Sequence, residues 1–258
     1  MVTTKALSFL RRSTADIISG ETKVSVAYSG GLDSSIVAAV AREFATVRCY
    51  TCFVTGSHDA RTVGDRAKSE SLDLVVTELT SADVPMIVRE TVEMLGTSNP
   101  MQVAYTIPIF AALKESQEKL MLTGSGADEL FGGYAKYSKS NDPSQMMEED
   151  LRKMLCEGEA LTEIACTMGK SIGFPFVSEE MIRFSRALPF EEKISSSERK
   201  VLLRDVARLL GLPSHDLPKK AAQYSSGVLR EMKRQAKSNH KSLADWTRSL
   251  TDDRGRSS

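Results

Sequence analysis

The chain has 258 residues, with 34 basic and 34 acidic side chains. This balance excludes a general electrostatic attraction to nucleic acid or to an anionic membrane surface. A content of 41% hydrophobic and 26% charged residues is typical of a globular protein and excludes a chain that is disordered throughout. Four cysteines are too few for a disulfide framework, and the first residues lack the apolar core of a secretory signal, so we expect a cytoplasmic protein without a membrane-spanning segment.

Strand and helix patterns alternate along the first half of the chain. After an amphipathic helix that ends before Gly20, the apolar spacing predicts strands at 23–28, 47–54, 74–76 and 120–123 and helices at 34–44, 59–71, 82–95 and 102–116, the last interrupted at Pro108. This alternation predicts an α/β fold with a doubly wound parallel sheet and helices on both of its faces.

Beyond Tyr137 the strand signals largely stop. The polar segment 138–145 is predicted to be a surface linker or mobile loop, and helices are predicted at 146–168 and 198–210. The polar tail after Trp246 is expected to fray. We therefore divide the chain into an α/β core at 1–137 and a mainly helical extension at 138–258, which would complete the site.

A glycine turn follows the first predicted strand. Its residues are Ser29, Gly30, Gly31, Leu32, Asp33, Ser34 and Ser35. Two glycines allow a sharp turn in which several backbone N–H groups converge at the start of a helix, and this arrangement binds anions. An aspartate suits such a site if it binds Mg²⁺, which bridges carboxylate and phosphate oxygens. A strand-to-helix turn that prefers glycine and a polar cap would explain only two or three of these residues.

This turn resembles the SGGxDS signature of the PP-loop, or N-type, ATP pyrophosphatases. The resemblance implies an adenine-nucleotide alpha-hydrolase-like fold that holds the pyrophosphate of ATP while a carboxylate is activated as its AMP ester. It places the nucleoside near two residue pairs at the ends of the first two strands, Ala27 with Tyr28 and Phe53 with Val54. The patterns GxxxxGK[ST] and GxGxxG do not accompany the turn, which disfavours a kinase-type P-loop and a dinucleotide site.

A second glycine-rich segment, from Leu122 to Tyr134, follows the last predicted strand of the core. In a parallel sheet both turns lie at the carboxyl ends of their strands, so Asp128 could reach the same metal ion as Asp33. The alternative is that Asp128 and Glu129 cap a helix. The segment resembles LxGxGADExFGGY of the asparagine synthetase and β-lactam synthetase family, which implies that Gly124 and Ser125 also line the nucleotide site.

A third segment strengthens this resemblance. Residues 200–204, 212–213 and 218–227 are similar to the family pattern KxxLRxxA…LP…KKAAQYGSG. The resemblance implies that Lys220 acts near the reacting carbonyl and α-phosphate, and that Ser226 and Gly227 contact pyrophosphate. The alternative for Lys219 and Lys220 is a solvated surface pair.

The chain departs from the family on the acceptor side. Ser125 occupies the position of a glutamate in asparagine synthetases and of a tyrosine in β-lactam synthetase, and serine is a poor base without help. Ser171, Gly173 and Ser178 also differ from the family pattern. Because the synthetase motifs start almost at the first residue, we expect no glutaminase domain before them, and we expect ammonia, another amine or a separate glutaminase subunit to supply nitrogen. An aspartate-like carboxylate is inferred from overall likeness alone.

The resulting hypothesis is an ATP- and Mg²⁺-dependent, amide-forming ligase, in which Lys220 and Asp128 are catalytic and Asp33 and Asp128 bind the metal. A homodimer is compatible with the sequence. One alternative is a PP-loop tRNA-modifying enzyme, which the balanced charge disfavours. Another is an ATP-binding partner subunit that has lost catalysis.

The pair Cys49 and Cys52 has the CxxC spacing of sulfur-transfer enzymes. It lies within a predicted strand, however, where this spacing sends the two side chains to opposite faces of the sheet. We therefore expect two buried thiols that pack in the core.

Overall fold

The computed structural model describes residues 2–196, 198–216 and 226–252. Within these residues, five strands form one sheet in the order β3-β2-β1-β4-β5. All neighbouring strands are parallel, which confirms the predicted α/β class. The strands are β1 Lys23–Ala27, β2 Thr46–Val54, β3 Leu74–Leu79, β4 Leu120–Leu122 and β5 Ser171–Gly173.

Helices cover both faces of the sheet. They are α1 Val2–Ile18, α2 Leu32–Ala41, α3 His58–Ser69, α4 Val84–Leu95, α5 Pro100–Glu115, α6 Ala127–Phe131, α7 Pro143–Thr167, α8 Glu179–Ala187, α9 Val201–Leu209, α10 Val228–Ser238 and α11 Leu243–Asp252. One apolar cluster includes Leu10 of α1 and Ile36 of α2, and another includes Ile107 of α5 and Met232 of α10. Across the described ranges, no helix is long and apolar enough to cross a membrane.

The two cysteines of β2 show how the sheet separates these clusters. Cys49 packs in the cluster of α1 and α2, whereas Cys52 packs in the cluster of α5 and α10. Both side chains are buried, and burial raises the pKa of each thiol to about 12. The prediction of two buried thiols on opposite faces is therefore confirmed.

The prediction that α5 is interrupted at Pro108 is wrong, because the helix runs without a break from Pro100 to Glu115. Proline removes one hydrogen bond of the helix, but its neighbours Ile107 and Phe110 are buried in the core. The free energy gained by burying these apolar side chains offsets the missing hydrogen bond and keeps the helix continuous.

The predicted loop at 138–145 is shorter than expected. α7 begins at Pro143, and the side chain of Asp142 accepts a hydrogen bond of 2.9 Å from the backbone N–H of Gln145. Proline in the first turn of a helix and aspartate at its cap are favourable start signals, so the residues typical of a loop here begin a helix.

A fifth strand is absent from the sequence prediction. β5 has only three residues and ends at Gly173, where a Cβ atom would lie 2.5 Å from Cγ2 of Ile17. The helical extension therefore contributes a strand to the sheet. At the other end, α11 runs to Asp252 with Trp246 buried, so the tail does not fray before that residue.

Candidate functional site

A cavity lies at the carboxyl ends of β1, β2 and β4, the edge at which parallel sheets commonly bind ligands. The sequence-predicted residues that line it are Ala27, Tyr28, Ser29, Gly31, Leu32, Asp33, Ser34, Gly124, Ser125, Asp128 and Ser226. The structure adds residues that the sequence did not single out as site residues, including Tyr50, Thr51, Cys52, Arg66, Tyr105, Arg199 and Lys200. Most of the predicted nucleotide-binding residues are thus brought together in one cavity.

The first glycine turn leaves the start of α2 open to a ligand. Gly30 has a φ of +67°, a conformation that favours glycine, and no side chain caps the helix at Gly31. The Ser34 hydroxyl donates to the Gly31 carbonyl at 3.1 Å and lies 3.3 Å from the Ser29 hydroxyl. Backbone N–H groups and serine hydroxyls therefore meet at a helix N-terminus, where phosphate is favourable.

The second turn packs directly on the first. A Cβ atom at Gly124 would lie 2.8 Å from the Cβ of Asp33, so only glycine allows the two turns to approach this closely. The contact brings Asp33, which follows β1, toward Asp128, which follows β4.

Asp33 and Asp128 meet at the ammonium group of Lys200. The Lys200 Nζ lies 2.5 Å from Oδ1 of Asp33 and 2.5 Å from Oδ1 of Asp128. The lysine is only 2% exposed. Burial alone would lower the pKa of Lys200, but Asp128 and then Asp33 outweigh that effect, so its pKa is raised and it carries a positive charge.

The backbone around Lys200 is adapted to this contact. Lys200 has a φ of +59°, an unfavourable conformation for a residue with a side chain, and it immediately precedes α9. A Cβ atom at Gly133 would lie 1.7 Å from Oδ1 of Asp128 and 2.6 Å from Cε of Lys200. Gly133 therefore leaves the space in which the ion pair forms.

The two aspartates fit a divalent cation that also binds phosphate. Their carboxylates converge on the Lys200 ammonium group next to the uncapped start of α2, so a cation would bind beside it through carboxylate lone pairs that the lysine leaves open. Among the described residues, no group of three or more histidine, cysteine, aspartate or glutamate side chains could hold a metal ion. A site with two carboxylates is typical of Mg²⁺ held together with the phosphates of a substrate.

Asp128 and Glu129 both lie in the first turn of α6. α6 has no side-chain cap at Gly126. Glu129 instead accepts a hydrogen bond of 2.6 Å from the Tyr134 hydroxyl. Burial, and then the neighbouring charge of Asp128, raise the pKa of Glu129 to about 7.

Five of the sequence-predicted residues do not line the cavity: Gly30, Ser35, Phe53, Val54 and Gly227. Phe53 and Val54 are buried in the apolar clusters on the two faces of the sheet, and their place near the nucleoside stays a prediction. The cavity is reached instead by Tyr50, Thr51 and Cys52 of the same strand.

The segment of Ser226 and Gly227 docks at the end of β2. The Val54 N–H donates to the Ser226 carbonyl at 2.8 Å, and Gly227 has a φ of +81° in close contact with Ser57. The Ser226 hydroxyl lines the cavity and makes no hydrogen bond with a described residue. Lys220 lies outside the described residues, and its role stays a prediction.

The residues that differ from the family pattern fall into two groups. Ser125 lies in the cavity, where its hydroxyl accepts a hydrogen bond of 3.0 Å from Thr123. The other three are explained by the fold: Gly173 makes room for α1, Ser178 caps α8 by accepting from the Met181 N–H, and the Ser171 side chain is exposed on β5. Only Ser125 therefore alters the described wall of the cavity.

Comparison with known proteins identifies the family. A family model described as asparagine synthase matches residues 5–165. A Methanocaldococcus jannaschii protein named as a glutamine-hydrolysing asparagine synthetase is 29% identical, over 84% of this chain and 48% of its own length. Glutamine-hydrolysing asparagine synthetase 3 of Arabidopsis thaliana is 28% identical, over 79% of this chain and 39% of its own length.

The chain thus spans about half or less of the length of these curated relatives. A solved structure, the NMN synthetase from Francisella tularensis, covers 98% of this chain and 92% of its own at 10% identity, but the TM-score of 0.46 supports no inference. The family model matches more than half of the sequence, and the protein therefore belongs to the asparagine synthase family.

Proposed function

We propose that the protein is an ATP-dependent ligase that activates a carboxylate as its acyl-adenylate, releases pyrophosphate and forms an amide with ammonia or an amine. The observation that carries the proposal is the convergence of Asp33 and Asp128 beside the uncapped start of α2. Carboxylates, a buried cation and open backbone N–H groups together suit a metal-bound polyphosphate.

The polyphosphate of ATP would lie in the first glycine turn. The N–H groups at the start of α2 and the hydroxyls of Ser29 and Ser34 would bind its oxygens, and Ala27 and Tyr28 would lie near the nucleoside. When bound, Mg²⁺ at Asp33 and Asp128 would neutralise charge on the departing pyrophosphate. Lys200 supplies a fixed positive charge beside that position, which favours the transition state as negative charge develops.

The reaction has two steps. A substrate carboxylate oxygen attacks the α-phosphorus, and the bond to the oxygen that bridges the α- and β-phosphates breaks, so pyrophosphate leaves with the electron pair. The nitrogen of ammonia or an amine then attacks the acyl carbon, and the bond to the AMP oxygen breaks. The products are an amide, AMP and one proton.

The acceptor substrate is proposed from the relatives. An aspartate-like carboxylate follows from the names of the relatives, and a separate glutaminase subunit is a further proposal for the nitrogen source. Ser125 and Tyr105 line the cavity and are candidates for contact with this carboxylate. The cytoplasmic location and the homodimer stay predictions.

The first test is Mg²⁺-dependent exchange between ATP and labelled pyrophosphate in the presence of a panel of carboxylates that begins with L-aspartate. We expect exchange that requires one of these carboxylates and is lost in Asp33→Asn. The matched control is Asp65→Asn. Asp65 is exposed on α3, so we expect this variant to show wild-type exchange. Production of ADP and phosphate in place of AMP and pyrophosphate would exclude the proposal.

A further inference from the structure

Two arginines connect the cavity to the two glycine turns. Nη1 of Arg66 donates a hydrogen bond of 3.1 Å to the carbonyl of Gly30 in the first turn. Nη1 of Arg199 donates a hydrogen bond of 2.8 Å to the carbonyl of Gly133 in the second. Both arginines are partly buried and line the cavity. Each turn is therefore held by one guanidinium group that also faces the ligand space.

These arginines differ from the other cations of the cavity. Lys200 is paired with Asp33 and Asp128, and Arg204 is paired with Glu198. In the described part of the chain, neither Arg66 nor Arg199 forms a salt bridge, although burial raises the pKa of nearby Glu70 and the charge of Arg66 opposes that rise. Their charges are therefore not cancelled by direct contact with a described carboxylate.

The polyphosphate needs positive charge beyond Lys200. Two aspartates share that one lysine, so the cluster of Asp33, Asp128 and Lys200 is negative before a metal ion binds, and with Mg²⁺ bound it would offset only part of the negative charge of the polyphosphate. A guanidinium group has five N–H donors in a planar fork that matches phosphate geometry. One donor on each arginine is used to hold a glycine carbonyl, which fixes the group and leaves other donors for a ligand.

We propose that Arg66 and Arg199 bind the β- and γ-phosphates of ATP, and pyrophosphate after the first step, one from each glycine turn. The identity of the leaving group rests on the proposed function. Arg66 lies on α3, outside the three motif segments, and Arg199 directly precedes the third segment. The pair is thus a feature of this chain that the motifs do not describe.

Titration calorimetry with inorganic pyrophosphate and, separately, with AMP tests the pair directly, with MgCl₂ present throughout. We expect Arg66→Gln and Arg199→Gln each to weaken pyrophosphate binding about ten-fold, because each variant loses a charge-assisted hydrogen bond to phosphate. AMP binding should be unchanged. The controls are Arg61→Gln, exposed on α3, and Arg208→Gln, exposed on α9; both are expected to bind pyrophosphate as the wild type does.

The inference is overturned if the wild type does not bind pyrophosphate, if both glutamine variants bind it normally, or if AMP binding falls equally. Should a glutamine variant not fold, Arg66→Lys and Arg199→Lys keep the charge but lose the forked contact, and the same selective loss for pyrophosphate is expected. These binding experiments need no carboxylate substrate. A protein that binds pyrophosphate through the arginines but shows no exchange would contradict the ligase proposal alone.

Discussion

Asp33 and Asp128 follow neighbouring parallel strands and each places a carboxylate oxygen 2.5 Å from the same lysine nitrogen. The relationship depends on three local features: the close approach of the two turns at Gly124, the space left by Gly133, and the left-handed backbone of Lys200. A change to any of these features should disturb the proposed phosphate site without touching the apolar core.

Gly133→Ala should displace the ion pair. The added Cβ would lie 1.7 Å from Oδ1 of Asp128, so the carboxylate or the backbone must move. We expect a loss of exchange activity of about a hundred-fold, because electrostatic groups in a site act through accurate placement. The measurement is ATP–pyrophosphate exchange, together with the melting temperature.

Gly64→Ala is the control for that substitution. Gly64 lies within α3, and no heavy atom lies within 4 Å of a Cβ added there. Alanine should keep the activity and raise the stability by about 0.5–1 kcal/mol, because it is a better helix former. Unchanged exchange in Gly133→Ala would show that the ion pair does not position the reacting groups.

Lys200→Met should destabilise the protein in the absence of metal. It leaves the carboxylates of Asp33 and Asp128 close together without their cation, and we expect a loss of about 3 kcal/mol. Because Mg²⁺ would fill the same place, it should raise the melting temperature of the variant more than that of the wild type.

Lys68→Met, an exposed change on α3, is the control and should show neither effect. The assignment of Asp33 and Asp128 as metal ligands would be contradicted if Mg²⁺ shifted the melting temperature of Lys200→Met no more than that of the wild type.

Lys193 provides a pH test of burial. Burial lowers its pKa from 10.5 to about 8, and the structure shows no salt bridge between it and another described residue. Between these two pH values the unfolded chain binds more protons than the folded one, so stability from this group rises with pH across that window. Below about pH 8 the lysine is charged in both the folded and the unfolded state. The cost of burying this charge then lowers the free energy of unfolding by an amount that does not depend on pH.

Lys193→Met should therefore stabilise the protein at pH 7 by roughly 1–3 kcal/mol, with the advantage shrinking as the pH rises toward 10.5. Urea unfolding at several pH values measures this difference, and Lys233→Met, exposed on α10, should show no such trend. If the gain in free energy of unfolding of Lys193→Met did not change with pH, the lowered pKa of Lys193 would be ruled out.

The cysteines test the sulfur-transfer alternative. Cys49 and Cys52 are buried with raised pKa values, whereas Cys156 and Cys166 are exposed. Iodoacetamide should label only the exposed pair in the folded protein near neutral pH, as peptide mass spectrometry would show. Rapid labelling of Cys49 or Cys52 would instead support a reactive CxxC pair.

The parts of the fold that follow from local patterns could be predicted. Apolar periodicity located β1, β2 and the helices that pack on them, and the glycine turns located Asp33 and Asp128. β5 was missed because three residues at a sheet edge carry almost no periodic signal. Its glycine looked like a lost active-site residue, but it is needed for the packing of α1.

The rest of the site depends on tertiary contacts. Lys200 reaches the aspartates only because its backbone adopts a left-handed conformation, which a sequence motif does not reveal. Arg66 lies at the end of a polar helix, where the pattern alone is typical of a solvated face. Phe53 and Val54 were assigned to the nucleoside because they end β2; both are buried, one on each face of the sheet, because apolar clusters cover both faces there.

The central claim is that a carboxylate attacks the α-phosphorus of ATP. The most direct measurement uses the carboxylate that supports exchange, labelled with ¹⁸O in both oxygens, with ammonium chloride as the nitrogen source and mass spectrometry of the products. We expect AMP with one ¹⁸O atom and unlabelled pyrophosphate. AMP without the label, or ¹⁸O in inorganic phosphate, would contradict it.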